Sequence, residues 1–141
     1  DKGGFVRSLL GRKCRFDLWE PNLFLSARAL PKEEASIEYG DNIKRAYTYK
    51  ALNRLIQSSA ADQTKAAMAA VYKEKNKIPL VQIHDELAFS VSSVAEAKEL
   101  CAVMETALKL EVPSPSDISL GPNWGSLTTI DKSDSFPDVK D

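Results

Sequence analysis

The chain has 141 residues with 19 basic and 20 acidic side chains, and its formal net charge of -1 gives no overall pull toward nucleic acid or an anionic membrane, so any such binding falls to local patches. The length allows one domain with a sizeable core. No apolar run approaches the roughly 20 residues of a membrane span and the opening DKGGFVRSLL lacks the apolar core of a signal peptide, so the chain reads as soluble and cytosolic.

In chain order, GGFVRSLLGRKCRF alternates on both sides of Gly11 and predicts a β-hairpin, with Phe5, Leu9, Cys14 and Phe16 inward and Arg7, Arg12, Lys13 and Arg15 making its tip and one face basic. The segment DLWEPNLFLSARALPKEEASIEYGD, broken by Pro21 and Pro31, reads as an irregular connection with a short helix over Glu33 to Tyr39. From Asp41, an N-cap residue, the text runs without Pro or Gly to Lys77 and predicts the longest helix. Its core stripe is Leu52, Ile56, Ala60, Ala67 and Val71, widened by Leu55 and Met68. Tyr49, Asn53 and Gln57 recur every four residues on another face. Beside the small residues of SSAAD, that face is either solvated or a surface against which something lies.

The stretch IPLVQIHDELAFSVS predicts two antiparallel strands joined at His84, Asp85 and Glu86. The tip lacks the Asn-Gly or Asp-Gly of an easy turn, which points to residues chosen for their side chains. Acidic turns are most often simply solvated. Strands this apolar, however, imply burial on both faces, and a carboxylate at their tip then needs a cation. Magnesium takes oxygen ligands, commonly one or two carboxylates plus substrate phosphates. His84, the chain's single histidine, offers no zinc cluster and is read as a hydrogen-bonding group. Cys14 and Cys101 have no second Cys or His at ligand spacing and read as packing residues. HDEL inside a chain carries no retention meaning.

After the hairpin, SSVAEAKELCAVMETALKLEV predicts a Ser-capped amphipathic helix with Val94, Ala97, Leu100, Cys101, Met104 and Leu108 inward. PSPSDISLGPNWGSL predicts a short strand and a turn, and the polar TTIDKSDSFPDVKD a disordered tail. No internal repeat is present.

Taken in order, GFVRSLLGRKCRF, ALNRLIQSSAADQTKAAM, VQIHDELAFSV and GPNWGSL resemble the C-terminal palm portion of family A DNA polymerases, the DNA polymerase I and bacteriophage replicase family, over about Gly4 to Leu127. The N-x-x-x-Q-x-x-A-A-D helix with an HDE hairpin is far more specific than either motif alone. The resemblance implies that Asp85 is the motif C carboxylate of a two-metal magnesium site and Glu86 its supporting neighbour. It implies that Asn53 and Gln57 touch the minor groove of the primer-template and that His84 sits at the primer terminus. Minor-groove acceptors occupy similar places in every correct base pair, so such donors can check pairing without reading sequence. Arg12 and Lys13 are candidates for backbone phosphates, with ordinary solvation equally open. Tyr49 stands where the family commonly has an arginine, with Lys50 as a candidate substitute, and Ser58 stands where a glycine is frequent.

Two-metal transfer needs ions roughly 4 Å apart, clamped by carboxylates from more than one strand, and one acidic hairpin is half of that. Neither the motif A aspartate nor the fingers helix is found: Asp17, Asp41 and Asp117 have other surroundings, and KEEASIEYG follows rather than precedes the GRK hairpin. The expectation is an α+β palm fragment over 1–127, an antiparallel palm sheet built from hairpins and backed by two helices, followed by a polar tail over 128–141. It would act on primer-template DNA and dNTP with Mg2+ only alongside a partner polymerase chain carrying motif A, fingers and thumb, and be silent alone. The absence of an initiating Met fits a split-polymerase subunit, a processed product or a piece of a longer chain. The alternative from another class is a nonenzymatic DNA- or replisome-binding remnant of a palm, against which the retained HDE argues.

Overall fold

The alternation around Gly11 does produce a hairpin. Strand β1 (Phe5–Arg7) pairs antiparallel with β2 (Lys13–Arg15), setting Phe5 opposite Arg15, Val6 opposite Cys14 and Arg7 opposite Lys13. Phe16 is buried as expected, whereas Leu9 lies exposed on the connecting loop. The computed structural model describes residues 3–23 and 27–133, and the chain divides into two compact units, 1–62 and 63–141. The α+β class holds, with antiparallel ladders and three helices among the described residues, the short one falling where the expected piece over Glu33 to Tyr39 lies.

The stretch expected to be irregular is a small sheet. Strands β3 (Leu18–Pro21), β4 (Leu30–Pro31) and β5 (Ile43–Arg45) align in the order β4-β3-β5. Both prolines sit at strand ends, where a missing amide costs the ladder little. Between β4 and β5, α1 (Lys32–Tyr39) starts at Pro31, carries Glu33 and Glu34 in its first turn and ends at Gly40, whose amide returns to Ser36 O at 3.0 Å. Ladder pairing also explains why no helix begins at Asp41. Ile43, Lys44 and Arg45 face Pro21, Glu20 and Trp19, Lys44 reaches Glu20 at 3.8 Å, and Ala46 N donates to Leu18 O at 2.8 Å. Arg45 stacks 4.8 Å from the Trp19 ring and donates to Phe16 O at 2.9 Å. Gly4, at φ 63, lies so close beneath that guanidinium that a β-carbon would collide with it.

Helix α2 (Ala51–Lys75) follows a single 3-10 turn at Thr48–Lys50 and stops at Asn76, which takes the left-handed conformation with φ 52. Its first half turns opposite to the expected stripe. Leu52 and Ile56 are 68% and 58% exposed, while Asp62, on the polar side, is only 3% exposed. The reason is the hairpin loop, whose amides need acceptors. Leu10 N donates to Asp62 Oδ2 at 3.1 Å, the Arg12 guanidinium pairs with Asp62 Oδ1, and Leu9 N donates to Ser59 Oγ at 3.2 Å. Arg54 adds bonds to Arg15 O at 3.2 Å and Cys14 Sγ at 3.7 Å, with its guanidinium over the Phe16 ring.

In the second unit Ala67 and Val71 are buried as expected. Val71 packs with Leu100 and Val103 of α3 (Val94–Thr106), joined by Phe89, Val91 and Met104. The other side of α3, Ala97 and Cys101, packs on Ile118 of β8 (Ile118–Leu120), which pairs with β9 (Thr128–Ile130). The ordered ladder thus extends past Leu127 into the stretch expected to be a disordered tail, because Thr128, Thr129 and Ile130 pair with Leu120, Ser119 and Ile118. The tail from 134 onward lies outside the described residues. Ser93 caps α3, accepting from Glu96 N at 3.1 Å.

Between α2 and α3, β6 (Val81–Ile83) and β7 (Glu86–Ala88) form the expected hairpin, and Glu96 fastens its root. One carboxylate oxygen meets Lys77 Nζ at 2.6 Å and the other accepts from Ser92 N and Oγ at 2.7 and 2.9 Å. Lys77 Nζ also donates to Ser90 O at 3.1 Å. Both ends of the hairpin are therefore tied to the start of α3.

Asp62→Ala is expected to lower stability by about 3 kcal/mol, the low end for a lost buried ion-pair partner because Arg12 keeps access to water, and Asp62→Asn by less because it still accepts from Leu10 N. Urea unfolding checks this, together with faster hydrogen exchange at the Leu10 amide. Lys77, then the Ser92 amide and hydroxyl, hold the Glu96 carboxyl down from 4.5 to about 2. Its contribution is therefore fully present above pH 4.5 and disappears as pH falls toward 2. The stability difference between the parent and Glu96→Gln is expected to shrink across that window, as read by urea titrations at each pH.

Candidate functional site

Each expected site residue falls on one of three local structures. Asn53 and Gln57 lie four apart on the exposed side of α2, interleaved with Leu52 and Ile56, so the polar pair stands within an apolar surface. Tyr49 and Lys50 precede them on the 3-10 turn, where the Lys50 ammonium lies 5.2 Å from the Tyr47 ring and 5.5 Å from that of Tyr49. Lys50 is exposed, and its cation lies beside two rings.

The first hairpin separates its two basic candidates. Arg12 is engaged with buried Asp62, and its own amide donates to Ser8 Oγ at 3.1 Å. Lys13 is exposed and lies 4.9 Å from the Phe5 ring. Sequence reasoning gave Asp62 and Arg54 no role, yet they fix the hairpin on α2. The usable signal was Asp62 itself, an acid among the small residues of SSAAD.

His84, Asp85 and Glu86 occupy the tip of the β6-β7 hairpin. Register pairs Ile83 with Glu86, so His84 and Asp85 alone make the turn and Glu86 begins β7. His84 has φ 53, a left-handed conformation that costs a β-carbon-bearing residue of order 1–2 kcal/mol. The turn is braced by Gln82 Nε2 donating to His84 O at 2.6 Å. All three side chains face solvent. The strands do not supply the two-sided burial expected of them: Ile78 and Leu80 are 69% and 70% exposed, and Val81 and Ile83 are also exposed. Among the described residues β6 pairs only with β7 and nothing covers its apolar side chains.

Asp85 and Glu86 are adjacent carboxylates of the hard-oxygen type that suits magnesium, and both are accessible. No group of three or more potential metal ligands converges among the described residues. Asn53 and Gln57 belong to the first unit and the HDE turn to the second. Basic side chains outnumber acidic ones in 1–62 and the reverse holds in 63–141, so cationic surface concentrates in the unit that carries Asn53 and Gln57. No helix among the described residues is long and apolar enough to cross a membrane.

Comparison with known proteins finds DNA polymerases among those similar to this chain. The chain is 39% identical over 122 residues to a DNA-directed DNA polymerase of Pseudomonas phage M6, a match covering 86% of this chain and 15% of that protein. It is 33% identical over 134 residues to DNA polymerase I of Mycobacterium leprae (strain TN), covering 89% of this chain and 13% of that one. DNA polymerase I of Bacillus subtilis (strain 168) matches at 42% over 92 residues, 59% of this chain and 10% of the relative. The chain thus spans about a seventh of the length of such relatives. The family model described as DNA polymerase family A matches residues 1–126, and the chain belongs to that family.

Proposed function

We propose that this chain is the C-terminal palm part of a DNA-directed DNA polymerase and supplies motif C through His84, Asp85 and Glu86. The observation that carries the reading is the β6-β7 turn, where a histidine held at φ 53 presents two solvent-facing carboxylates in a chain of this family. Strain at such a position is retained when the side chains it displays are needed.

Asp85, with Glu86 in support, would hold Mg2+ on one side of a two-ion site, and a motif A aspartate from a partner polymerase chain, or from the rest of a longer one, would hold the other. When bound, the ions supply Lewis-acid stabilisation of charge on the transferring phosphoryl group. Asp85 contributes the negative charge that places that positive field, at a turn braced by the Gln82 bond to His84 O. His84 donates a hydrogen bond at the primer terminus. Asn53 and Gln57 donate to minor-groove acceptors of the primer-template, and the neighbouring Leu52 and Ile56 present apolar surface to sugars. Fingers and thumb, which bind dNTP and duplex, would come from the same partner. The bare side chains of Ile78, Leu80, Val81 and Ile83 support such a neighbour, since an unpaired apolar strand edge calls for one. The setting is the cytoplasm of a bacterial or phage-infected cell, at replicating DNA.

The test is primer extension by the chain assembled with its motif A-bearing partner. Asp85→Asn is expected to slow single-turnover incorporation at least about 10²-fold with primer-template affinity unchanged, and Glu86→Gln to cost less. Incorporation that survives Asp85→Asn would leave the chain as a DNA- or replisome-binding remnant. Asn53→Ala and Gln57→Ala are each expected to remove about 1 kcal/mol of transition-state stabilisation, roughly a fivefold slower extension. Variants that extend matched and mismatched primers just as the parent does would remove the minor-groove role.

A further inference from the structure

The outer face of the β1-β2 hairpin holds a charge arrangement that folding does not require. Strand alternation puts Phe5, Arg7, Lys13 and Arg15 on one side and Val6 and Cys14 on the other. The second side looks toward α2, where Arg54 reaches Cys14 Sγ at 3.7 Å. The first side points away from α2, and Arg7, Lys13 and Arg15 are all exposed. Register sets Arg7 directly opposite Lys13, and both cations converge on the Phe5 ring, 5.2 and 4.9 Å from its centroid. Arg7 also donates to Gly11 O at 3.2 Å.

Like charges directly opposite in a ladder destabilise it. Elsewhere in the same unit the comparable position is filled by opposite charges, Glu20 facing Lys44 at 3.8 Å. Among the described residues no carboxylate lies within ion-pair distance of Arg7, Lys13 or Arg15, and the acid next to the loop, Asp62, is taken by Arg12. Three cations gathered on one ribbon with no anion of their own are complementary to an anionic chain.

We propose that this face is a second nucleic-acid contact, distinct from the Asn53 and Gln57 surface, along which the phosphodiester backbone of one strand lies against Arg7, Lys13 and Arg15. Successive phosphates supply the negative charge that the opposed Arg7 and Lys13 lack, and the two guanidinium groups can each hold a phosphate through paired N–H donors. The Phe5 ring keeps Arg7 and Lys13 aligned at little conformational cost. The inference rests on the polymerase reading, but it adds Arg7 and Arg15, which that reading does not use.

Anisotropy titrations of the full chain with labelled single-stranded and duplex oligonucleotides, between about 50 and 200 mM salt, test it. Arg7→Gln and Arg15→Gln are each expected to reduce the slope of log K against log salt by roughly 0.7 on the single strand or 0.9 on the duplex. Arg7→Lys keeps the slope, as does Lys109→Gln in the second unit. Thermal midpoints should not fall in Arg7→Gln, because the variant also relieves the like-charge pair, which separates lost binding from lost folding. A larger slope change on the single strand assigns the face to unpaired template, and an equal change assigns it to duplex backbone. Unchanged slopes for both Gln variants overturn the proposal. Loss of slope in Arg7→Gln beside undiminished incorporation in Asp85→Asn would leave this contact standing and remove the catalytic reading, and the converse pair of results would do the opposite.

Discussion

Taking the Asp62 carboxylate out of water is the constraint on which residues 1–62 depend. A buried anion must be matched, and here it is matched twice, by the Leu10 amide and by the Arg12 guanidinium. Those two partners lie on the loop of the first hairpin, so satisfying one charge fixes the loop on α2. Arg54 then holds the β2 end through a backbone carbonyl and a ring, and Arg45 joins the hairpin to the small sheet through Phe16 O. Asn53, next to Arg54 in sequence, is turned outward as a result. The polar face of α2 is available because the other polar face is occupied.

The same constraint explains where sequence reasoning read the chain well and where it did not. Periodicity located the second half of α2 and all of α3, because Val71, Leu100 and Ala97 reach an apolar core that obeys the helical repeat. It inverted the first half of α2, where polar bonds to the loop outrank burial of Leu52 and Ile56. The stretch from Asp41 to Ala46 reads as helix by composition, yet Ile43 to Arg45 complete a ladder with β3, and Tyr47, at φ 61, ends it. A two-residue strand such as Leu30–Pro31 leaves no pattern to find. The HDE turn was legible because two apolar runs meet there without the Asn-Gly or Asp-Gly of an easy turn. Its root was not, since Lys77, Ser92 and Glu96 are ordinary surface residues until folding brings them together.

Strain and exposure meet at the β6-β7 hairpin, and they have different origins. The left-handed His84 is a local cost, offset by the ladder on either side and by the Gln82 bond. The exposed Ile78, Leu80, Val81 and Ile83 form a surface whose cost falls away once another strand lies on it. Electrostatics divides along the chain as well, with cations concentrated in 1–62 and acids in 63–141, so the near-zero total conceals two units of opposite character.

The Glu96 tie at the hairpin root makes the β6-β7 hairpin a cantilever, clamped at Lys77 and Ser92 and free at Asp85. At about 3.3 Å per residue the arm from Lys77 to Asp85 reaches at most about 26 Å. A rotation of only about one degree at the clamp carries the tip through roughly 0.4 Å, nearly the ~0.5 Å within which a catalytic group must be held. Two salt-bridged side chains on the surface supply little of that stiffness, and the packing of Phe89 and Val91 on Val71, Leu100 and Val103 adds to it at the root. In the role proposed for Asp85, a second bearing along the arm would add precision, and the bare flank of β6 is the place where one would sit.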